Sequence, residues 1–122
     1  MKTLVIIALG GAAGSVARYL AQLGVSKLSG PAFPVGTFIV NLTGCFLIGL
    51  IYALAGKYEW LTLDWRLFLV TGLCGGYTTF SSFSYDSVNL LRSGNYLYFG
   101  LYVLGSVALG LLATFAGIRI IR

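Results

Sequence analysis

The sequence predicts an all-α membrane protein of four transmembrane helices, the third of them broken near its centre. Of its 122 residues, 58% are hydrophobic and only 9% are charged, whereas about 25% of the residues of a soluble domain carry charge. A span needs about 20 apolar residues, so four spans occupy nearly the whole chain. We therefore expect one transmembrane domain, residues 1–122, with spans at about residues 4–25, 35–56, 67–91 and 96–121.

The composition argues against several other classes of protein. The chain has no histidine, which is the usual general base and the commonest metal ligand, and no acid pair or nucleophile–base pair indicates an enzyme. Cys45 and Cys74 lie in apolar runs and are too few for a zinc site. The net charge of +5 comes from scattered basic residues, which is typical of membrane flanks and gives no sign of a nucleic-acid partner.

The first span carries a row of small residues and one arginine. Gly10 and Gly14 begin a four-residue spacing of small side chains that lets another helix approach closely. A signal peptide is an alternative for this segment, but we expect a retained helix because apolar sequence resumes beyond Arg18. A guanidinium in a span needs water, an anion or carbonyl oxygens. Arg18 therefore either extends to the membrane surface or lines a water-filled vestibule.

Isolated polar side chains mark the second and fourth spans. Asn41 lies in the second span within G-T-F-I-V-N-L-T-G, residues 36–44. Its amide offers two N–H donors and one acceptor, so it can bond a neighbouring helix or bind an anion. In the fourth span, Tyr102 and Ser106 are four residues apart and hence share one helix face.

The third span contains the least lipid-like stretch, T-G-L-C-G-G-Y-T-T-F-S-S-F-S at residues 71–84. The adjacent Gly75 and Gly76 predict that the backbone leaves the helical path there. Carbonyls and hydroxyls freed at membrane depth require protein or a water-filled path around them. We interpret the stretch as an ion path or ion site. A kink satisfied by neighbouring side chains, hydroxyls bonded to their own helix and phenylalanines packed in a core are the alternatives.

The polar residues favour an anion. The deep part of the spans has no carboxylate, since the nearest, Asp86, lies toward an end. Amides and hydroxyls supply donors, and the ring edges of Phe80 and Phe83 carry partial positive charge. Carbonyls near Gly75 and Thr78 would suit a hard cation such as Na⁺. The polar residues that we predict along the path are Asn41, Thr79, Ser81, Ser82, Tyr102 and Ser106.

The basic residues do not choose an orientation in the membrane. Four spans put both termini on one side, and the positive-inside rule gives a weak bias, with Lys2, Lys57, Arg66, Arg119 and Arg122 against Lys27, Arg92 and Arg18. The chain can therefore insert both ways, and copies of opposite orientation would pair as an antiparallel dimer. Because four helices enclose little space, we expect a second copy to complete the path.

Three motifs make the chain resemble the Fluc (CrcB) family of fluoride channels over essentially all 122 residues. They are G-G-x-x-G-x-x-x-R-Y at 10–19, G-T-F-x-V-N-x-x-G at 36–44 and G-x-C-G-G-x-T-T-F-S-S-F-S at 72–84. The resemblance implies a dual-topology antiparallel homodimer with two pores. It also implies passive export of fluoride from the cytoplasm through the cell membrane of a microbe.

The resemblance assigns roles residue by residue. It implies that Asn41 is the pore asparagine, that Phe80 and Phe83 are the paired pore phenylalanines, and that Arg18 lies near a vestibule. Polar pore lining would come from Ser81, Ser82, Tyr102 and Ser106. The carbonyls of Gly75 and Thr78 would bind a central structural Na⁺ that is not transported.

Two other functions fit a small four-span protein. A proton-coupled exporter of cationic drugs also has dual topology, but it requires a carboxylate within the membrane, and none lies near a midplane here. A non-transporting membrane assembly factor would need no ion path at all. Of these two, the exporter is the main alternative to a fluoride channel.

Overall fold

The computed structural model describes residues 1–28, 30 and 32–121 of the chain, and its regular structure is helical. The predicted all-α class is confirmed. Within the described residues, three helices are long and apolar enough to cross a membrane, namely α1, α2 and α5. In chain order the helices are α1 (Lys2–Ser26), α2 (Val35–Lys57), α3 (residues 63–77), α4 (Phe80–Arg92) and α5 (Tyr96–Ile121).

The predicted third span is divided between α3 and α4. Thr78 and Thr79 join them in extended conformations, with φ −84° and ψ 159° at the first and φ −150° and ψ 110° at the second. The prediction of a break near the centre of this span is confirmed. The glycine pair is not its cause, because Gly75 is helical with φ −62° and ψ −40° and Gly76 continues the same helix.

The glycines of α1 and α3 allow these helices to pack closely. A Cβ atom on Gly76 would lie 2.6 Å from the Gly11 carbonyl oxygen, and one on Gly72 would lie 2.8 Å from Gly10 Cα. A Cβ atom on Gly14 would overlap the Leu73 carbonyl oxygen. Small residues at a helix interface are the usual means of close approach in a membrane. Gly76 is therefore needed for packing, not for leaving the helix.

Part of α3 is a π-helix, which the sequence did not indicate. The helix starts with Leu63–Arg66, widens over Leu67–Cys74 and returns to α-helical geometry at Gly75–Tyr77. A π-helical segment is rare and is often found beside functional sites. Here the widened turns pack along α1 and lead directly into the break.

The other major contact is between α2 and α5, and it also depends on glycine. A Cβ atom on Gly117 would lie 2.8 Å from the Leu50 backbone nitrogen, and one on Gly49 would overlap the Thr114 carbonyl oxygen. The Thr114 hydroxyl donates to the Cys45 carbonyl oxygen at 3.1 Å. The fold thus consists of two closely packed helix pairs, α1 with α3 and α2 with α5, and α4 lies against α5.

Two contacts place both chain ends at one end of the bundle. Lys2 Nζ lies 2.9 Å from Asp64 Oδ2, and Lys57 Nζ donates to the Ile121 carbonyl oxygen at 3.5 Å. The rings of Trp60 and Trp65 meet edge to face with centroids 6.4 Å apart at this end, as expected for a membrane interface. Arg122, which the charge count placed here, lies outside the described residues.

A pair of matched substitutions in α1 tests the packing of α1 on α3. We expect Gly14→Ala to lower the free energy of unfolding by about 1–3 kcal/mol, since the added methyl group overlaps backbone atoms that cannot move freely. Gly24→Ala is the control, because nothing lies within 4 Å of a Cβ atom there. Equal stability of the two variants in a detergent unfolding titration would contradict this account of the interface.

Candidate ion site at the helix break

A cavity of about 370 Å³ lies beside the break between α3 and α4. It brings together seven of the residues that the sequence predicted for ion binding. These are Asn41, Gly75, Thr78, Thr79, Phe80, Phe83 and Ser106. The remaining lining is mostly apolar and comes from α2, α3 and α5. Arg18, Ser81, Ser82 and Tyr102, which were predicted with them, lie outside this lining.

The Asn41 side chain is bonded to the backbone at the break. Thr79 N–H donates to Asn41 Oδ1 at 2.8 Å, and Asn41 Nδ2 donates to the Thr79 carbonyl oxygen at 3.1 Å. The amide thereby satisfies both the backbone N–H and the backbone carbonyl of the extended residue Thr79. Since Nδ2 carries two hydrogens, one N–H remains for a further acceptor.

Thr79 also begins α4 as its N-cap. Its hydroxyl oxygen accepts a hydrogen bond from the Ser82 backbone N–H at 3.1 Å. A threonine in this position satisfies one of the N–H groups that the first turn of a helix leaves free. The hydroxyl groups of Thr79 and Ser81 are also 3.2 Å apart. Ser81 and Ser82 therefore support the start of α4 through Thr79.

The break leaves the carbonyl oxygens of Gly75 and Thr78 without their helical donors. In an α-helix a carbonyl accepts from the N–H four residues later. In a continuous helix the Gly75 carbonyl would accept from Thr79 N–H, but this N–H is bonded to Asn41. The Thr78 carbonyl would accept from Ser82 N–H, but this N–H is bonded to Thr79 Oγ1. Among the described residues no other donor replaces them, so two oxygens are free beside the cavity.

The Arg18 side chain satisfies a third carbonyl at the break. Its Nε donates to the Gly76 carbonyl oxygen at 3.1 Å. A guanidinium at the carboxyl end of α3 also interacts favourably with the partial negative charge of that helix end. Sequence reasoning left Arg18 between the membrane surface and a vestibule. The structure instead gives it a carbonyl partner within the protein, and its vestibule role stays a prediction.

Aromatic and hydroxyl groups form the other side of the cavity. The rings of Phe80 and Phe83 are tilted at 42° with centroids 5.7 Å apart, and Phe80 is 80% exposed on this single chain. The Ser106 hydroxyl is buried and has no hydrogen-bond partner among the described residues. A buried polar group without a partner is costly, so this hydroxyl is suited to a ligand.

Tyr102 connects this side to Asp86. The Tyr102 ring lies 5.1 Å from that of Phe83, and its hydroxyl donates to Asp86 Oδ2 at 3.2 Å. Tyr102 is fully buried. The Asp86 carboxylate is thus bonded to α5 and does not line the cavity at the break.

Both signs of partial charge meet at the break. The carboxyl end of a helix carries about half a negative charge and the amino end about half a positive one. Here the carboxyl end of α3 and the amino end of α4 are separated only by Thr78 and Thr79. Carbonyl oxygens on one side suit a cation, and N–H groups on the other suit an anion. No cluster of three or more acidic or cysteine ligands occurs in the described part of the chain.

Comparison with known proteins identifies the family. The chain matches the family described as CrcB-like protein, Camphor Resistance (CrcB), over residues 5–118. The chain belongs to the CrcB family. Relatives named fluoride-specific ion channel FluC include that of Phocaeicola vulgatus, 49% identical over 97% of each chain. The relative from Flavobacterium psychrophilum is 48% identical over 100% of this chain and 98% of its own.

A third relative of the same name leads to the same conclusion. The protein of Chlorobaculum tepidum is 51% identical over 96% of this chain and 92% of its own. The CrcB family membership accounts for the three sequence motifs, which lie on the helices that surround the break. In this chain, the motif residues of α1, α2, α3 and α4 lie around one short extended segment, Thr78 and Thr79.

Sequence reasoning missed two contacts of this CrcB chain. It assigned no role to Tyr77 or Thr43, whose hydroxyl oxygens lie 2.8 Å apart. It allowed Asn41 either a bond to a neighbouring helix or an anion, but did not identify the Thr79 backbone as the partner. Two hydroxyl-bearing residues in apolar spans were the available signal, but a threonine hydroxyl in a helix usually bonds its own backbone, so the pairing of Thr43 with Tyr77 was not evident.

Substitution of the N-cap tests how α4 begins. We expect Thr79→Ala to destabilise the folded protein by about 0.5–2 kcal/mol, because Ser82 N–H loses its acceptor. Thr79→Ser keeps the hydroxyl oxygen and is the matched control. The measurement is unfolding in detergent followed by circular dichroism. If alanine and serine at residue 79 gave the same stability, the capping bond would have no energetic role.

Proposed function

We propose that this chain forms a fluoride-selective channel that lets fluoride leave the cytoplasm of a microbe passively. The observation that carries this proposal is the near end-to-end identity of 48–51% to relatives named fluoride-specific ion channel FluC. The chain is a multi-pass membrane protein of a bacterial membrane, and it is a channel of the CrcB family, not an enzyme. Residues 1–122 act as one channel domain in this proposal.

The groups at the break have the chemistry that fluoride requires. A small, strongly hydrated anion must exchange its water for close donors, as a cation exchanges water for carbonyls in a selectivity filter. The second N–H of Asn41 and the unpartnered Ser106 hydroxyl are such donors. The positively polarised ring edges of Phe80 and Phe83 add to them. The cavity lining includes no carboxylate among the residues that the structure describes, which supports an anion over a cation in this path.

We assign the chain an antiparallel homodimer of dual topology. The exposed Phe80 ring supports this assignment, because a pore residue needs a second wall and this chain provides only one side. The weak charge bias between the two membrane faces supports insertion in both directions. Two copies related by a two-fold axis in the membrane plane would place a second set of the same residues opposite the first.

The cofactor in this proposal is a resident Na⁺ that is not transported. The freed carbonyl oxygens of Gly75 and Thr78 fit a hard cation, which prefers oxygen ligands, and the carboxyl end of α3 adds partial negative charge. Two carbonyls from each copy would supply four oxygens at the dimer axis. When bound, Na⁺ would offset the partial negative charge of the facing carbonyl oxygens, which the chain holds in place.

A proton-coupled exporter of cationic drugs is not favoured. Such a protein needs a carboxylate in its transport path that exchanges protons for cations. Asp86 is bonded to Tyr102 at 3.2 Å and does not line the cavity. The relatives from Phocaeicola vulgatus and Flavobacterium psychrophilum are both named as fluoride-specific channels.

The selectivity of the purified protein tests the proposed function. We expect liposomes that contain the protein to release fluoride rapidly and chloride negligibly, when a K⁺ gradient and valinomycin supply the driving force. Chloride retention follows because a larger, more weakly hydrated anion gains less from close donors. Protein-free liposomes are the control. Equal release of the two anions, or release of neither, would refute a fluoride-selective channel.

A further inference from the structure

The Tyr77 hydroxyl joins the end of α3 to α2. It lies 2.8 Å from Thr43 Oγ1, and the distance alone allows either oxygen to be the donor. The Thr43 hydroxyl is directed at its own helix, with Ile39 and Val40 carbonyl oxygens at 2.9 and 3.1 Å. A threonine hydroxyl has one hydrogen, and that hydrogen is used within α2. Tyr77 therefore donates and Thr43 accepts.

The same turn of α2 contacts the residues on both sides of this bond. A Cβ atom on Gly44 would overlap the Thr78 methyl group and would lie 3.3 Å from Tyr77 Cδ2. Asn41, at the start of the turn, holds both polar backbone groups of Thr79. Three residues of this one turn of α2 thus contact three consecutive residues, the last of α3 and the two that form the break.

The Tyr77–Thr43 contact differs from the other contacts at the break. Among the described residues it is the one hydrogen bond between α2 and α3. Arg18 reaches Gly76 from α1, and the Thr78 hydroxyl donates within the chain to Cys74 at 3.0 Å. Neither fixes α3 relative to α2, the helix that carries Asn41. In the described part of the chain, the Tyr77 hydroxyl thus makes the directional bond that fixes the distance between α3 and α2.

We propose that Tyr77 is a positioning residue for ion conduction, and that its bond to Thr43 keeps the Thr78–Thr79 segment in the conformation held by Asn41. The bond fixes the last turn of α3 against α2. The orientations of the Gly75 and Thr78 carbonyls and of the Thr79 N–H are thereby maintained. What is conducted rests on the proposed function. Tyr77 does not line the cavity, so its effect on an ion is exerted through the backbone.

Membrane depth makes this bond harder to replace than a surface bond. Thr43 is exposed on the single chain, which in a membrane means contact with lipid or a second copy. Lipid tails offer no hydrogen-bond partner, so a hydroxyl that loses its protein partner there stays unsatisfied. The tyrosine ring packs against the Gly44 position, so Tyr77→Phe removes the hydroxyl and retains the packing.

A double-substitution cycle measured by fluoride efflux from liposomes tests the inference. We expect Tyr77→Phe and Thr43→Val each to slow efflux about fivefold, the factor that corresponds to one net hydrogen bond. We expect the double variant to be no slower than either single variant, because both lose the same bond. Thr43→Ser keeps the acceptor and restores the wild-type rate. Tyr52→Phe, which removes an exposed hydroxyl from α2, is the control.

Hydrogen exchange supplies a readout that does not depend on conduction. Thr79 N–H is protected by Asn41, and we expect its exchange to accelerate about fivefold in Tyr77→Phe and Thr43→Val but not in Tyr52→Phe. Unchanged exchange at residues 78–82, or additive slowing of efflux in the double variant, would overturn the inference. If the wild type released no fluoride, the proposed function would fail, and the exchange data would still decide the role of Tyr77.

Discussion

The paired hydrogen bonds between the Asn41 amide and the Thr79 backbone are the constraint on which the candidate ion site depends. A helix interrupted inside a membrane exposes polar backbone groups that lipid cannot satisfy. One side chain from α2 satisfies both groups of the extended residue, at 2.8 and 3.1 Å. Because it takes the N–H that Gly75 would otherwise receive, the same amide leaves a carbonyl oxygen free. The bond that stabilises the break is therefore also the bond that frees the Gly75 carbonyl oxygen.

The break also separates opposite partial charges within a few residues. α3 ends in carbonyl oxygens, one of which meets Arg18, and α4 begins with N–H groups, one of which meets the Thr79 hydroxyl. A continuous helix would cancel these charges internally. The close glycine contacts of α1 with α3 hold the first half-helix rigidly, so the two charged ends keep their positions. In the proposed function, this arrangement would serve a resident cation and a passing anion, with no carboxylate among the described residues that line the cavity.

Much of the fold followed from apolar lengths, and the broken span followed from residues 71–84, whose composition does not suit a continuous lipid-facing helix. The cause of the break could not be predicted from this composition. Gly75 and Gly76 suggested backbone freedom, but both are helical, and Gly76 instead admits α1. Which residue leaves the helix is decided by Asn41, 38 positions earlier in the chain. Likewise, the pairing of Tyr77 with Thr43 is a tertiary contact that the local pattern hides, since a threonine hydroxyl in a helix usually bonds its own backbone.

The most direct test of this account is the fluoride efflux of Asn41→Asp in liposomes, with Asn95→Asp in the α4–α5 turn as the control for added negative charge. Aspartate keeps an acceptor for Thr79 N–H, loses the donor to the Thr79 carbonyl, and adds negative charge where an anion must pass. We predict that fluoride efflux falls at least tenfold in Asn41→Asp and stays at the wild-type rate in Asn95→Asp. Wild-type efflux from Asn41→Asp would contradict the central role of the Asn41–Thr79 contact.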